Sequence, residues 1–431
     1  NDTFNIGDAS GLVDNISAAL TVEGDAGSDT LNVDDSGDTT INSGVLTSDT
    51  ISGLGMPSGI SYGTLETLDI DLGSAGDTLT IESTHVGATN LDTFGGADTV
   101  NVQSNAGATT INGGAENDTF NIGDASGLVD NISAALSVNG EAGSDTLNVD
   151  DSGDATVNSG SLAANSITGL DMASGITYGT LEAVNIDLGS AGDTFTITST
   201  HAGATNLATF GGADTVNGQS IAGATTINGG ADNDTFNIGN ASNVVGNISA
   251  ALTVNGEAGS DTLNVDDAGD ATVNSGSLTT NSIGGLDMAV GIAYGTLEAV
   301  NIDLGSAGDT FTIESTHGGT TTLDTFDGED TVNVQTISGA TTINGGAEND
   351  TFNIGDTSNV VDNISSALTV NGEAGSDTLN VDDSGDATVN SGSLTTNSIG
   401  GLDMAVGIAY GTLEAVNIDL GSAGDTFTIE S

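Results

Sequence analysis

Asn1-Asp2-Thr3-Phe4-Asn5-Ile6-Gly7 opens the chain, and the same seven residues return from Asn117, Asn233 and Asn349, a spacing of 116 residues. The rare residues keep that spacing: Tyr62, Tyr178, Tyr294 and Tyr410; Met56, Met172, Met288 and Met404; His85, His201 and His317. The 431 residues therefore read as repeats 1–116, 117–232, 233–348 and a partial 349–431. They are expected to form one continuous rod, a window of a longer array. A long internal period marks an architecture in which neighbouring units stabilise one another rather than a single globule.

A shorter period lies within the long one. Asp-Thr followed by an apolar residue occurs at Asp2, Asp29, Asp49, Asp77 and Asp98 and returns at Asp118, in steps of 27, 20, 28, 21 and 20 residues. The segments Leu20-Thr21-Val22 and Thr30-Leu31-Asn32-Val33 alternate apolar and polar side chains, the period-two signal of a half-buried strand. Gly, Thr, Asn, Asp and Val disfavour helix; only Gly11 to Ile16, with Ser10 as a cap, reads as a single helical turn. The pattern predicts an all-β chain, a right-handed parallel β-solenoid (β-helix or β-roll) with about five coils per 116-residue repeat. The handedness follows from the general preference of parallel crossovers. Leu, Ile, Val and Phe should face inward, and Thr, Asn and Ser outward.

Composition narrows the function. Lys and Arg are absent, Asp and Glu number 61, and the formal charge is −61. A chain with no cation for phosphate is not a nucleic-acid binder, and no apolar run is long enough for membrane insertion. With Cys absent, there is no disulfide, thiolate metal site or thiol nucleophile. Two carboxylates one coil spacing apart repel by about 0.9 kcal/mol even at the dielectric of water. Only a bound metal, condensed counterions or protons can relieve this.

The turns before the Asp-Thr elements carry the candidate chemistry. Two of them read Gly24-Asp25-Ala26-Gly27-Ser28-Asp29 and Gly113-Gly114-Ala115-Glu116-Asn117-Asp118. Glycine would supply left-handed backbone that turns carbonyls inward, and Asp a hard carboxylate oxygen. Ca²⁺ takes six to eight such oxygens, shared between stacked turns. The candidate ligands of this kind are Asp25, Asp29, Asp77, Asp98, Glu116 and Asp118 in the first repeat and its junction. Glu141, Asp145, Asp193, Asp214 and Asp234 follow, then Glu257, Asp261, Asp309, Asp330 and Asp350, then Glu373, Asp377 and Asp425. The other reading is that each Asp caps its turn by accepting backbone N–H bonds. A second acidic cluster, Asp34, Asp35 and Asp38 around Gly37, recurs as Asp150, Asp151 and Asp154, as Asp266, Asp267 and Asp270, and as Asp382, Asp383 and Asp386. It reads either as a local cation site or as a solvated acidic turn.

These turns resemble the RTX (repeats-in-toxin) calcium-binding β-roll pattern G-G-x-G-x-D-x-U-x, in which U is a large apolar residue. Gly140-Glu141-Ala142-Gly143-Ser144-Asp145-Thr146-Leu147 departs from it only at the second position, and Gly113 to Phe120 only at Glu116. The turn before Asp77 is one residue short, that before Asp98 two short, and that before Asp49 lacks the pattern. The resemblance implies an extracellular or cell-surface protein whose fold depends on calcium ions, similar to the repetitive stalks of large adhesins.

Regular recurrence leaves no unique pocket, so no enzyme activity is expected. The expected role is structural: a stiff, acidic, calcium-stabilised stalk. A self-assembling filament or surface-layer subunit, associating end-to-end or laterally, is the alternative. An ice- or carbohydrate-binding solenoid with an outward Thr face is a lesser one. His85 and its copies read as surface decoration, and Asn15-Ile16-Ser17 with its copies as glycosylation sequons.

Overall fold

The computed structural model describes residues 1–430, and every regular element among them is a β-strand. The chain forms two compact units. One comprises Asn1–Asp214 with Gly223–Thr225, the other Thr215–Ala222 with the chain from Thr226 onward.

In the first unit the chain crosses back and forth between two sheets, and the coil strands lie parallel to those laid down a coil earlier. One sheet stacks Thr3–Ile6, Thr30–Asp34, Thr67–Asp71, Ala88–Asp92, Thr109–Asn112 and Leu136–Asn139 in that order. The other stacks Thr78–Ile81, Thr99–Val102, Thr119–Ile122, Thr146–Asp150 and Ala183–Asp187. The second unit repeats the plan, with Thr235–Ile238, Thr262–Asp266, Ala299–Asp303 and Thr320–Asp324 in one sheet. This is the parallel β-solenoid, or β-roll, that the alternation predicts. No helix long and apolar enough to cross a membrane occurs among the described residues.

Register explains the pattern. Leu79, Val100, Phe120, Leu147 and Val184 are in-register partners and fully buried. One position on, Asn101, Asn121, Asn148 and Asn185 form an outward ladder. Asn121 Nδ2 donates to Asn101 Oδ1 at 2.9 Å, and Asn148 and Asn185 each donate to the preceding amide at 2.7 Å. A one-residue slip would exchange the two faces, so the buried column and the amide ladder fix the same register.

Two features depart from the sequence reading. Asp49-Thr50 does not begin a coil. Thr50–Gly53 is the middle strand of an antiparallel meander, between Ser43–Leu46 and Met56–Gly63. The coil that follows Asp29 begins at Glu66-Thr67, where Glu66 stands in the position of the aspartate. Residues 11–16 hold no helix; they form bends and turns, with Gly11 N–H donating to Asp8 O and Ile16 N–H to Val13 O.

Each 116-residue repeat also contains an odd number of half-coils. Thr3–Ile6 and its copy Thr119–Ile122 therefore lie in opposite sheets of the first unit, and Thr235–Ile238 and Thr351–Ile354 in opposite sheets of the second.

Truncating the buried column should be costly. Phe120→Ala is expected to destabilise by about 3–5 kcal/mol, and Asn121→Thr on the outer face by roughly 1 kcal/mol, both read by denaturant unfolding.

Candidate functional site

The aspartates that precede the strands form ladders along the sheet edges. Asn42 N–H donates to Asp77 Oδ1 at 2.7 Å, Asp77 N–H to Asp98 Oδ1 at 2.6 Å, and Asp98 N–H to Asp118 Oδ1 at 2.8 Å. Asp118 N–H continues to Asp145 Oδ1 and Asp145 N–H to Glu182 Oε2, both at 2.8 Å. A shorter run joins Asp2, Asp29 and Glu66. In the second unit the same geometry links Asn274, Asp309, Asp330, Asp350, Asp377 and Glu414, and separately Asp234, Asp261 and Glu298. Each carboxylate thus accepts the backbone N–H of the equivalent residue one coil away. This is the capping geometry, running between coils rather than within one turn. Glu66, Glu182, Glu298 and Glu414 close the ladders. The shorter Asp-Thr rule missed them because Glu replaces Asp there and Ala follows in the later copies.

These aspartates have left water: Asp118 is 1% and Asp145 0% exposed. The second oxygen, Oδ2, of Asp29, Asp118, Asp145, Asp261, Asp350 and Asp377 accepts no hydrogen bond from the protein. It lies against the first glycine of the turn. A Cβ added to Gly140 would stand 2.5 Å from Asp145 Oδ2 and 2.4 Å from Thr180 O. That glycine is required for close approach, not for its φ. The left-handed backbone falls in part on acidic residues: Asp25 (φ 61°), Glu116 (74°), Glu141 (69°), Glu257 (69°) and Glu373 (69°). All five are exposed at the turn surface. Glu116 Oε2 accepts Gly96 N–H at 3.0 Å, back over the neighbouring coil. From the turn surface the charge of Glu116 still acts on the buried Asp98 and Asp118.

Burial dominates the electrostatics of the ladder. It pushes Asp118 and Asp350 up to about 7 and Asp98 and Asp330 up to about 6, against the hydrogen bonds they accept and with added repulsion from neighbouring carboxylates. Asp145, Asp193, Asp261, Asp309 and Asp377 move in the same direction for the same first reason.

The acidic loops separate into two sites. Asp34, Asp150, Asp266 and Asp382 end strands on the outer sheet faces. Asp34 stacks in register with Asp71 and Asp92, and Asp266 with Asp303 and Asp324, beside the Asn columns in shallow polar grooves. Asp35 and Asp38 turn to the opposite side and are buried, as are Asp151, Asp154, Asp267, Asp383 and Asp386, while Asp270 is half-buried. One carboxylate oxygen each of Asp14, Asp35 and Asp38 lies within 4.8 Å of the other two. Asp14 was not legible as a member, since it sits on a separate loop twenty-odd residues earlier. Burial pushes Asp35 and Asp267 up to about 6 and Asp151 up to about 7. At Asp38 burial opposes ionisation, but hydrogen bonds from Thr40 and Asn42 outweigh it and hold the carboxyl below its usual value.

The histidines are not surface decoration. His85 is 9% exposed and meets Tyr62 edge-on at 6.0 Å between ring centres, and burial lowers its pKa. Tyr62 OH donates to Thr47 O, so the pair braces the meander against the coil below it.

No protein-family model matches the chain, and no curated protein is matched by it.

The ladder sets a pH dependence of unusual sign. Folded pKa values near 6 to 7 lie above the ordinary value of about 3.9 for an unfolded aspartate. The fold therefore favours the neutral acid. The resulting stabilisation is complete below the unfolded value and is lost as pH rises through 6 to 7. In chelator the melting temperature should be higher at pH 5 than at pH 8. A melting temperature that falls toward pH 5, as ordinary paired carboxylates give, contradicts the assignment.

Proposed function

We propose that the chain is a structural segment of an extracellular or cell-surface protein: a stiff acidic stalk, stabilised by calcium ions, of the kind the RTX-like turns imply. The observation that carries this reading is the sameness of the repeats. Equivalent residues recur in equivalent environments, and in-register ladders continue from coil to coil within each unit. Such an arrangement spans distance rather than performing chemistry at one point. Absence of Lys and Arg also denies trypsin-like proteases a cleavage site, which suits a protein outside the cell.

A self-assembling filament or surface layer is the second reading. The observation that favours it is one exposed β-branched residue at the same place in each repeat, Ile41, Val157, Val273 and Val389, each more than 70% exposed.

Sedimentation velocity across a hundredfold range of concentration separates the two. The stalk gives one elongated species at all concentrations, unchanged by Val157→Asp. Growth with concentration, abolished by Val157→Asp, supports the filament. Chelation should lower the melting temperature at pH 8, with Ca²⁺ restoring it and matched Mg²⁺ failing to do so.

A further inference from the structure

The strongest unexplained feature lies beneath the meander: in the first repeat one carboxylate oxygen each of Asp14, Asp35 and Asp38 lies within 4.8 Å of the other two, and acidic counterparts recur in every repeat. In the second repeat it comprises Asp130, Asp151, Asp154 and Asp171, drawn from three separate stretches of chain. The charges of Asp154 and Asp171 act on Asp130, those of Asp154 and Asp130 on Asp151, and those of Asp154 and Asp171 on the buried Asp193 beside them. No Lys or Arg exists to offset them.

Asn158 sits at the centre. Its backbone N–H donates to Asp193 Oδ1 at 2.9 Å, and its Nδ2 to Asp154 Oδ2 at 2.8 Å and Asp151 Oδ2 at 3.4 Å. The side chain is 6% exposed, and its amide oxygen Oδ1 has no hydrogen-bond partner. A buried amide oxygen without a donor is costly, and here it belongs to a group already reaching into the carboxylates. Asn390 repeats the arrangement, donating to Asp383 and Asp386 with its own Oδ1 likewise unpartnered.

We propose that this cluster is a divalent-cation site selective for Ca²⁺, one per 116-residue repeat, and distinct from the glycine-rich turns. A half-turn of the Asn158 amide exchanges Nδ2 for Oδ1. The orphaned oxygen then joins carboxylate oxygens of Asp130, Asp151, Asp154 and Asp171 around the ion, an all-oxygen set of the kind Ca²⁺ takes.

Variation among the repeats follows the same requirement. The first repeat has Gly55 in place of Asp171 but keeps Asp14; a Cβ at Gly55 would fall 1.7 Å from Asp14 Oδ1. The third has Gly246 in place of Asp130 but keeps Asp287, whose charge acts on Asp267. The fourth has both, Asp362 and Asp403. At least one of the two accessory carboxylates is present in every repeat.

The proposal rests on the reading of the chain as a calcium-stabilised scaffold, and its test separates the two. Equilibrium dialysis of the full chain with Ca²⁺ at pH 8, against matched Mg²⁺, counts the ions bound. Asp130 and Asp171 are exposed, so Asp130→Asn with Asp171→Asn should leave the β-sheet circular dichroism unchanged. The expected result is one tight Ca²⁺ per repeat, with one ion fewer in the double variant. An undiminished count in a folded variant overturns the site and leaves the calcium-stabilised scaffold standing. Equal, loose binding of Mg²⁺ and Ca²⁺ shows counterion condensation and also overturns the site. No bound ion, together with no rise in melting temperature, overturns both the site and the calcium part of the broader reading.

Discussion

A carboxylate that leaves water without a cation beside it must be compensated by hydrogen bonds or by a proton. The rest of this molecule follows from that constraint. Lys and Arg are absent from the sequence. The buried aspartates therefore turn to the backbone. Each takes an N–H from the adjacent coil, and the coils are tied along their edges by the groups that would otherwise drive them apart. One oxygen is satisfied in this way. The other rests against glycine, and burial raises the carboxyl so that a proton becomes the natural partner of that oxygen.

The alternation of Thr-Leu-Asn-Val and the 116-residue period made the β-solenoid legible, because inward and outward positions differ in polarity along every strand. The meander was not legible. Ser43–Leu46, Thr50–Gly53 and Met56–Gly63 carry the same small and β-branched residues as the coil strands, and nothing in their composition distinguishes antiparallel from parallel neighbours. Glu66 was missed as the start of a coil because its extra methylene lets it reach the same N–H from a different local sequence.

The candidate site was legible only in part. Asp35 and Asp38 are adjacent in sequence and recur, so they could be read together. Asp14 joins them from another loop, and Asp130 and Asp171 approach the second-repeat copies in the same way, through the stacking of coils, which no local motif encodes. Asp34 and Asp35 look equivalent in sequence, yet consecutive residues at a strand end point to opposite sides. One belongs to the outer groove and the other to the buried cluster. The glycine-rich turns were misleading in one respect: the left-handed positions fall partly on acidic residues, while the first glycine serves to make room for the carboxylate.

The central claim is that neutral, hydrogen-bonded acids hold coil to coil. Substituting Asp118→Asn tests it most directly, since asparagine keeps the oxygen that accepts the Asp98 N–H and replaces the orphaned oxygen with an uncharged group. Melted in chelator at pH 8, the variant should be at least as stable as the parent and should show a weaker pH dependence. A variant destabilised at pH 8 as strongly as Asp118→Ala would contradict the account, because it would mean that the ladder requires the charge itself.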